Sequence, residues 1–377
     1  MALVRLRSLL VAAFVLLLGA TAAVGPALAQ AKVGKKHPHV AARRSLGNPG
    51  GGAGSIYWGA LVGDQITGRQ VPWDMGAASK LEGMLGKSMS LLHFMAPFAH
   101  CSSSGCSYYR FPDEEMQAIR DRGAIPFFSW SSQAIPSTLE QPDFQLGDVI
   151  GGRYDEFIRG WAKDAKSWGH PFFLRFNWEM NGDWFPWAEE ANGNHRGEYV
   201  TAWRHVHDIF TDVGVTNATW VWCPNVDFGD KLQDLASLYP GDSYVDWTCL
   251  DGYNSGTNPV KHDRWRSFDE IYNPTYHEIL ETIAPSKPMA IGEIGVSEQG
   301  GSKARWISET LSALPARYPR IRAFVWLDKF EDGLDWPIET SPSAIEAFRA
   351  GLRHPAYAPA RFSTYSAGGA IRPTGRP

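Results

Sequence analysis

The chain has 377 residues, a formal net charge of −4 at pH 7 and 16 tryptophans. The slightly acidic balance argues against a protein built to bind a polyanion. So many tryptophans favour a cleft in which flat aromatic rings stack on a ligand. Roughly 300 residues lie between Ser55 and Tyr357, which suits one large domain or a barrel better than two small domains.

Residues 1–29 have the pattern of a signal peptide. A positively charged start precedes an apolar run too short to span a bilayer, and Ala27-Leu28-Ala29 is a small-residue cleavage site. The pattern predicts a secreted, extracellular protein whose mature chain begins at Gln30, with an uncleaved anchor as the alternative. Residues 30–54 are basic and then glycine-rich. They predict a disordered linker and not a nucleic-acid site, because no aromatic residues are interleaved with the cations.

Strand-like and helix-like patterns then alternate along the chain. The predicted strands are 55–62, 91–98, 125–130, 172–176, 218–223, 245–250, 289–294 and 321–327. The predicted helices are 74–85, 112–122, 154–168, 195–213, 231–238, 267–283, 303–314 and 342–352. This alternation predicts an α/β fold, a (β/α)8 TIM barrel over residues 55–357. Residues 358–377 are rich in Gly, Pro and Ser and predict a flexible C-terminal tail.

The loops after the strand C-termini carry the chemistry in such a barrel. Here these ends are rich in aromatic and polar residues: Trp130, Glu179, Asn225, Tyr253, Glu293 and Trp326. Strand alternation predicts that Arg175, Asn177 and Glu179 share one face, where buried charge is costly unless the face meets a site. A structural pair of Glu179 with Arg175 is the alternative.

Two carboxyl groups are therefore expected at one barrel mouth. Glu179 ends the fourth strand, and Glu293 ends the seventh between Gly292 and Gly295. Two carboxyl groups across a cleft are the minimum equipment for glycoside hydrolysis, one protonated and one ionised. The aromatic residues around Glu179 favour it as the acid, because an apolar setting raises a carboxyl pKa. Glu293 is then the nucleophile; two unrelated structural carboxylates are the alternative.

The motifs around these residues resemble glycoside hydrolase family 26, the β-mannanase family of the retaining (β/α)8 clan. The resemblance covers most of residues 55–350. It is carried by Arg175-Phe-Asn-Trp-Glu-Met-Asn-Gly-Asp-Trp-Phe-Pro-Trp187, Asp251-Gly-Tyr-Asn254, Ile291-Gly-Glu-Ile-Gly295, Trp326, Asp335-Trp336 and Ser341-Pro-Ser343. It implies that Glu179 is the acid/base, that Glu293 is the nucleophile contacted by Tyr253, and that Trp184 and Trp326 line the subsite of the cleaved sugar.

One departure from the family pattern affects the substrate. Family mannanases usually carry histidine immediately before the acid/base glutamate, and this chain has Trp178 there. The expected activity is a secreted endo-β-1,4-mannanase, with mixed-linkage β-glucan and β-1,3-xylan as the next substrates. The predicted substrate-binding residues are Trp130, Trp178, Trp184, Trp187, Asn225, Tyr253 and Trp326.

The remaining reactive residues predict disulfides and no cofactor. Cys101 and Cys106 close a short loop and are expected to be bridged in a secreted protein. Cys223 and Cys249 follow neighbouring strands and are either bridged or two buried thiols. The histidines lack metal-ligand spacing, so neither metal nor cofactor is predicted. We expect a monomer that takes a β-linked polysaccharide, with no nucleic-acid partner and no membrane partner after signal cleavage.

Two rival functions remain at this stage. A carbohydrate-binding barrel could keep the aromatic residues without turnover, although the presence of both glutamates argues against it. A barrel enzyme for phosphorylated small molecules would need a glycine-rich phosphate loop with a cation after the seventh or eighth strand, and none is found in the sequence.

Overall fold

The computed structural model describes part of the chain: residues 55–227, 234–259, 261, 263–361 and 369–373. The predicted signal peptide and basic linker, residues 1–54, lie outside these ranges. Within the described ranges, no helix is both long enough and apolar enough to cross a membrane.

Eight parallel strands in the described part of the chain form a closed barrel. Their bounds are β1 Ile56–Val62, β2 Leu91–Ser102, β3 Ile125–Ile135, β4 Phe172–Phe176, β5 Ala218–Trp222, β6 Trp247–Asn254, β7 Met289–Val296 and β8 Ile321–Asp328. Each strand pairs in parallel with the next one along the chain, and β8 pairs with β1, which closes the sheet. The predicted (β/α)8 barrel is therefore confirmed.

Helices surround the barrel between the strands. The α-helices of the described residues are Met75–Leu85, Asp113–Asp121, Leu146–Ile150, Asp155–Trp168, Glu198–Val213, Phe268–Glu278, Lys303–Arg317 and Pro342–Leu352. The π-helix Ile279–Ile283 continues one of them. The 3-10 helices are Pro142–Phe144, Leu235–Leu238 and Ile338–Thr340. Of the helix predicted for 231–238, residues 231–233 lie outside the described part of the chain.

The sequence pattern explains how strands and helices share the core. All five residues of β4 are buried, as expected for a barrel strand that is covered on both faces. In the helix Asp155–Trp168, the buried residues recur at helical spacing: Ile158, Trp161, Ala162 and Ala165. This stripe packs against the barrel. Along each strand, side chains alternate between the barrel interior and the helix layer.

The second and third strands extend beyond their predicted ends. β2 continues to Ser102 and pairs antiparallel with the short strand Gly105–Tyr108. The disulfide between Cys101 and Cys106 joins the two arms of this hairpin, which confirms the predicted bridge. A second small hairpin, Phe330–Glu331 with Leu334–Asp335, follows β8.

Part of the predicted C-terminal tail is anchored to the barrel. The short strand Tyr357–Ala358 pairs in parallel with β1. Further on, the amide of Ile371 donates to Thr219 Oγ1 at 2.7 Å, and Trp247 Nε1 donates to the Ile371 carbonyl at 2.8 Å. Ile371 is 2% exposed. Residues 369–373 therefore pack against the barrel.

Candidate active site

Glu179 lies in an irregular turn that follows β4. The strand ends at Phe176, and both Asn177 (φ 44°) and Glu179 (φ 52°) adopt left-handed backbone conformations, which are uncommon for residues other than glycine. The alternation that predicted a shared face for Arg175, Asn177 and Glu179 therefore stops at Phe176. The side chain of Asn177 instead binds β3: its Oδ1 accepts a hydrogen bond of 2.8 Å from the backbone N–H of Ser132. Strained turns of this kind concentrate at functional sites.

The Glu179 carboxyl is held by two donors. Trp184 Nε1 donates to Oε2 and Asn225 Nδ2 donates to Oε1, each at 2.7 Å. Asn225 is fixed in turn by Asn181, with which it exchanges two hydrogen bonds of 2.9 Å. The Trp184 ring folds back over Gly182, where a Cβ would lie 2.3 Å from it. Only glycine at residue 182 leaves room for the indole to reach Glu179.

Burial raises the pKa of Glu179 to near neutral pH. Glu179 is 7% exposed, and loss of solvation is the main cause that raises its pKa to about 7, with repulsion from Glu293 as the second cause. The hydrogen bonds from Trp184 and Asn225 oppose this rise, because they favour the ionised carboxylate. A carboxyl group with a pKa near 7 is suited to donate a proton in neutral solution.

Glu293 lies near the end of β7 against a cation. Arg175 Nη2 and the Tyr253 hydroxyl each donate to its carboxylate. Gly292, directly before it, makes this close approach feasible, because a Cβ there would lie 2.8 Å from Arg175 Nη1 and 2.7 Å from Asp251 Oδ1. The carboxylate is thus ion-paired and oriented from one side, and it is 9% exposed.

Arg175 is the centre of a buried polar network that includes both β6 and β7. It is fully buried, and its Nη1 donates to Asp251 Oδ2 at 2.6 Å while its Nη2 bonds Glu293. One guanidinium therefore faces two carboxylates, which planar guanidinium geometry allows. Burial is the main cause that raises the pKa of Asp251 well above its usual range, although the charge of Arg175 opposes the rise.

The aromatic residues near the two glutamates differ sharply in exposure. Trp184 is 43% exposed beside Glu179, so its ring presents a free face. The Tyr253 ring packs against Trp336, with centroids 5.1 Å apart. Trp336 was not among the predicted binding residues; the Asp335-Trp336 pair after β8 was the signal that could have indicated it.

Trp178 and Trp187 support the loop that carries Glu179. Trp187 is fully buried, and its Nε1 donates to the Trp178 carbonyl at 2.7 Å. The Trp178 ring packs on Trp187 and lies 4.9 Å from Arg175 Cζ, with 6% of the residue exposed. The indole that replaces the usual histidine therefore contacts the cation that binds Glu293.

Two predicted binding residues are not brought to the barrel mouth. Trp130 is fully buried and stacks on Trp161 of the surrounding helices, with centroids 4.5 Å apart. Trp326 is 1% exposed, packs against Phe348 and donates through Nε1 to the Trp336 carbonyl. Both rings belong to the layer between barrel and helices, so neither offers a face to a sugar. We leave them out of the proposed binding site.

A second disulfide lies beside the buried network of Arg175. Cys223 and Cys249 are bonded, which resolves the alternative left open by the sequence. Together with Asp251 they form the one group of potential metal ligands found within the described residues. Both sulfur atoms are already in the disulfide, so they offer no thiolate for a metal. The bond joins the end of β5 to β6, close to Arg175.

Comparison with known proteins agrees with this arrangement. The family model described as Glycosyl hydrolase family 26 matches residues 124–304, a range that contains both Glu179 and Glu293. The chain belongs to glycosyl hydrolase family 26.

Two curated relatives show how family 26 sequences match this chain. Endoglucanase H of Acetivibrio thermocellus is 32% identical over 311 residues, which cover 82% of this chain and 31% of that protein. Mannan endo-1,4-beta-mannosidase A and B of Caldalkalibacillus mannanilyticus is 34% identical over 158 residues, covering 40% of this chain and 27% of that protein. This family 26 chain thus spans about a third or less of the length of these relatives.

Solved structures of similar fold include a modular endo-beta-1,4-mannanase from Cellulomonas fimi. Its TM-score is 0.60 at 20% identity, covering 85% of this family 26 chain and 76% of that chain. At this identity the likeness shows the fold alone.

Proposed function

We propose that the protein is a retaining endo-β-glycanase that cleaves a β-linked polysaccharide by double displacement. One observation carries the proposal: two glutamates at the same barrel mouth have opposite environments. Glu179 has a pKa raised to about 7, whereas Glu293 is ion-paired with Arg175. A proton donor opposite a paired carboxylate is the arrangement that glycoside hydrolysis needs.

The proposed reaction uses each glutamate in both steps. Glu179 gives its proton to the glycosidic oxygen while Glu293 attacks the anomeric carbon, so the leaving sugar departs as an alcohol and a glycosyl ester forms. Glu179, now ionised, takes a proton from water as the water attacks the same carbon and releases Glu293. The product keeps the β-configuration. Arg175 and Tyr253 orient the Glu293 carboxylate for both attacks.

Four residues are proposed to contact the polysaccharide. Trp184 supplies the exposed aromatic face on which a sugar ring can stack beside Glu179. Asn225 and Tyr253 present polar groups next to the two carboxylates. Trp178, which is 6% exposed, completes this set. Trp187, which is fully buried, is proposed to act only by supporting Trp178.

The substrate proposed first is β-1,4-mannan. The mannosidase of Caldalkalibacillus mannanilyticus matches a segment of this chain, and the mannanase of Cellulomonas fimi shares its fold. A β-glucan is the second candidate, because the endoglucanase relative matches 82% of this chain and Trp178 replaces the usual histidine. The name endoglucanase belongs to the whole relative, and the match covers 31% of its length. Mixed-linkage glucan is the form of β-glucan expected, and β-1,3-xylan remains third.

A polysaccharide panel tests both the reaction and the substrate. Reducing-sugar release is measured on mannan, galactomannan, mixed-linkage β-glucan, β-1,3-xylan and cellulose, with Glu293→Gln as the blank for contaminating activity. We expect the highest rate on a mannan, and proton NMR of fresh product should show the β-anomer first. Activity confined to a glucan or xylan would overturn the mannan assignment alone. A folded protein inactive on all five polymers would support the binding-only barrel instead.

Secretion and the monomeric state are also proposed. Two disulfides support an oxidising compartment, and an insoluble or very long substrate requires an enzyme outside the cell. The protein recovered from culture medium should begin at Gln30 and elute as a monomer. Recovery only in the cell lysate, or elution as a dimer, would contradict these two proposals.

A further inference from the structure

A buried hydrogen-bond chain runs from the proposed nucleophile to the opposite side of the barrel interior. Glu293 on β7 bonds Arg175 on β4, and Arg175 Nε donates to Ser129 Oγ on β3 at 2.7 Å. Ser129 Oγ lies 2.7 Å from His93 Nε2 on β2. Arg175, Ser129 and His93 are all fully buried. The chain therefore links four barrel strands without contact with solvent at these three residues.

The hydrogen bond from Arg175 to Ser129 has a fixed direction, whereas the one between Ser129 and His93 depends on the His93 tautomer. Arg175 Nε carries a hydrogen and can only donate, so Ser129 Oγ accepts from it. The one other hydrogen-bond partner of Ser129 Oγ in the described structure is His93 Nε2. If the Ser129 hydroxyl donates to His93 Nε2, the hydrogen on Nδ1 has no acceptor among the described residues; if Nε2 donates instead, the Ser129 hydrogen has none. In both tautomers His93 holds Ser129 Oγ and leaves an oxygen lone pair available to Arg175 Nε.

The surroundings of His93 favour its neutral state. Burial, and then the charge of Arg175, lower the pKa of His93 well below its usual value. The Phe127 ring packs against His93, with centroids 5.4 Å apart, and lies 5.9 Å from Arg175 Cζ. An apolar ring thus fills the space beside the chain, and the described residues provide no protein partner for His93 Nδ1.

We propose that Ser129 and His93 are positioning residues that orient the nucleophile through Arg175. This inference rests on the proposed role of Glu293. A guanidinium is planar, so fixing its Nε–H toward Ser129 also fixes the directions in which Nη1 and Nη2 point. His93 matters because its hydrogen bond holds Ser129 Oγ in place, with an oxygen lone pair facing Arg175 Nε. Without it, the Ser129 hydroxyl can rotate and Arg175 loses one of the hydrogen bonds that fix its plane.

The chain offers a matched control for this proposal. Ser90 is also fully buried, but its hydroxyl bonds only the backbone of Trp58, accepting from the amide at 2.7 Å and donating to the carbonyl at 3.1 Å. Ser90→Ala removes the same atoms as Ser129→Ala without touching Arg175. A second pair of variants, His93→Gln and His93→Leu, differs chiefly in whether a neutral hydrogen-bonding group is kept.

The test measures how fast the nucleophile is trapped. Each variant is treated with the dinitrophenyl 2-deoxy-2-fluoro-β-glycosides of mannobiose and cellobiose, which need no acid to form the glycosyl ester on Glu293. Ester formation is followed by intact mass, and folding by circular dichroism. We expect Ser129→Ala and His93→Leu to be labelled about 10- to 100-fold more slowly, whereas Ser90→Ala and His93→Gln stay within about threefold of the wild type.

The outcomes separate this inference from the function on which it rests. If folded Ser129→Ala is labelled at the wild-type rate, the positioning role is overturned. If that variant does not fold, the His93 pair decides, and equal labelling rates for Gln and Leu would overturn the role. A wild-type protein that hydrolyses polysaccharide but is never labelled on Glu293 would overturn the nucleophile assignment and this inference with it.

Discussion

The division of labour between Glu179 and Glu293 can be separated by the leaving group of the substrate. Glu179→Gln should lower turnover of a polysaccharide by about 10² to 10⁴-fold, since the leaving sugar then departs without a proton. On a dinitrophenyl glycoside, the same variant should still form the glycosyl ester, because that leaving group needs no acid. Glu293→Gln should be inactive on both.

Azide provides the control for this comparison. It should restore turnover of Glu179→Gln on the activated glycoside and give a β-glycosyl azide, because azide attacks the ester without a general base. It should not restore Glu293→Gln. Equal loss of activity by both variants on the activated substrate would contradict the assigned roles.

The raised pKa of Glu179 sets the alkaline limit of activity. The proposed mechanism needs this carboxyl protonated in the free enzyme, and its pKa is raised to about 7. We therefore expect kcat/KM for a polysaccharide to fall tenfold per pH unit above about pH 7. Trp184→Phe keeps an aromatic ring but removes the N–H that lowers this pKa, so the alkaline limb should move to higher pH. A limb that moves to lower pH, or stays in place, would contradict the role of this hydrogen bond.

At the residue scale, the sequence located polar groups better than aromatic ones. The structure brings Glu179 and Asn225 together, and likewise Glu293 and Tyr253, because all four lie at or just beyond strand C-termini that converge at one barrel mouth. Trp130 lies within β3 and Trp326 near the end of β8, but the rings of both face the helices. Which face a barrel residue takes depends on register and bulges, and neither can be read from a single strand.

At the scale of elements, strand and helix order was predictable, whereas the turn after β4 was not. Apolar runs and helical spacing identified the barrel strands within a few residues at most ends. The left-handed conformations of Asn177 and Glu179 leave no local signature, because neither is a glycine. They are stabilised by contacts to the ends of β3 and β5, which come from distant parts of the sequence.

The disulfide between Cys223 and Cys249 should stabilise the β5–β6 side of the barrel. It closes a loop with a sequence separation of 26, which predicts a contribution of about 3 kcal/mol from lost entropy of the unfolded chain. We expect the Cys223→Ala/Cys249→Ala variant to have a lower Tm, measured by calorimetry, than the wild type. The Cys101→Ala/Cys106→Ala variant should lose less, because its separation is 5 and its hairpin is largely exposed. An unchanged Tm for the first variant, or a larger loss for the second, would contradict this ranking.

At the scale of the whole molecule, barrel closure explains why the site is assembled from distant segments. The buried network of Arg175 draws partners from β3, β6 and β7. These residues meet because the parallel strands surround one interior. The sequence indicated the closed barrel through its repeated strand–helix order. It did not indicate that residues 369–373 would pack against the barrel, because a short segment rich in small residues carries no periodic pattern.

The returning segment should contribute to stability without affecting catalysis. Ile371 is 2% exposed, and its backbone exchanges hydrogen bonds with Thr219 and Trp247, while the Tyr57 hydroxyl donates to the Arg372 carbonyl at 3.0 Å. Thr219 lies in the N-terminal part of β5, and Trp247 is the first residue of β6. The segment therefore packs at the end of the barrel opposite the glutamates.

Ile371→Ala should therefore lower the free energy of unfolding by about 2–4 kcal/mol, and Ile371→Val by about 1 kcal/mol. Both should keep wild-type kcat and KM at 25 °C, since neither touches the network of Arg175. Denaturant unfolding measures the free energy of unfolding, and a reducing-sugar assay measures the kinetics. An unfolding free energy equal to that of the wild type for Ile371→Ala would show that the segment is not packed in solution.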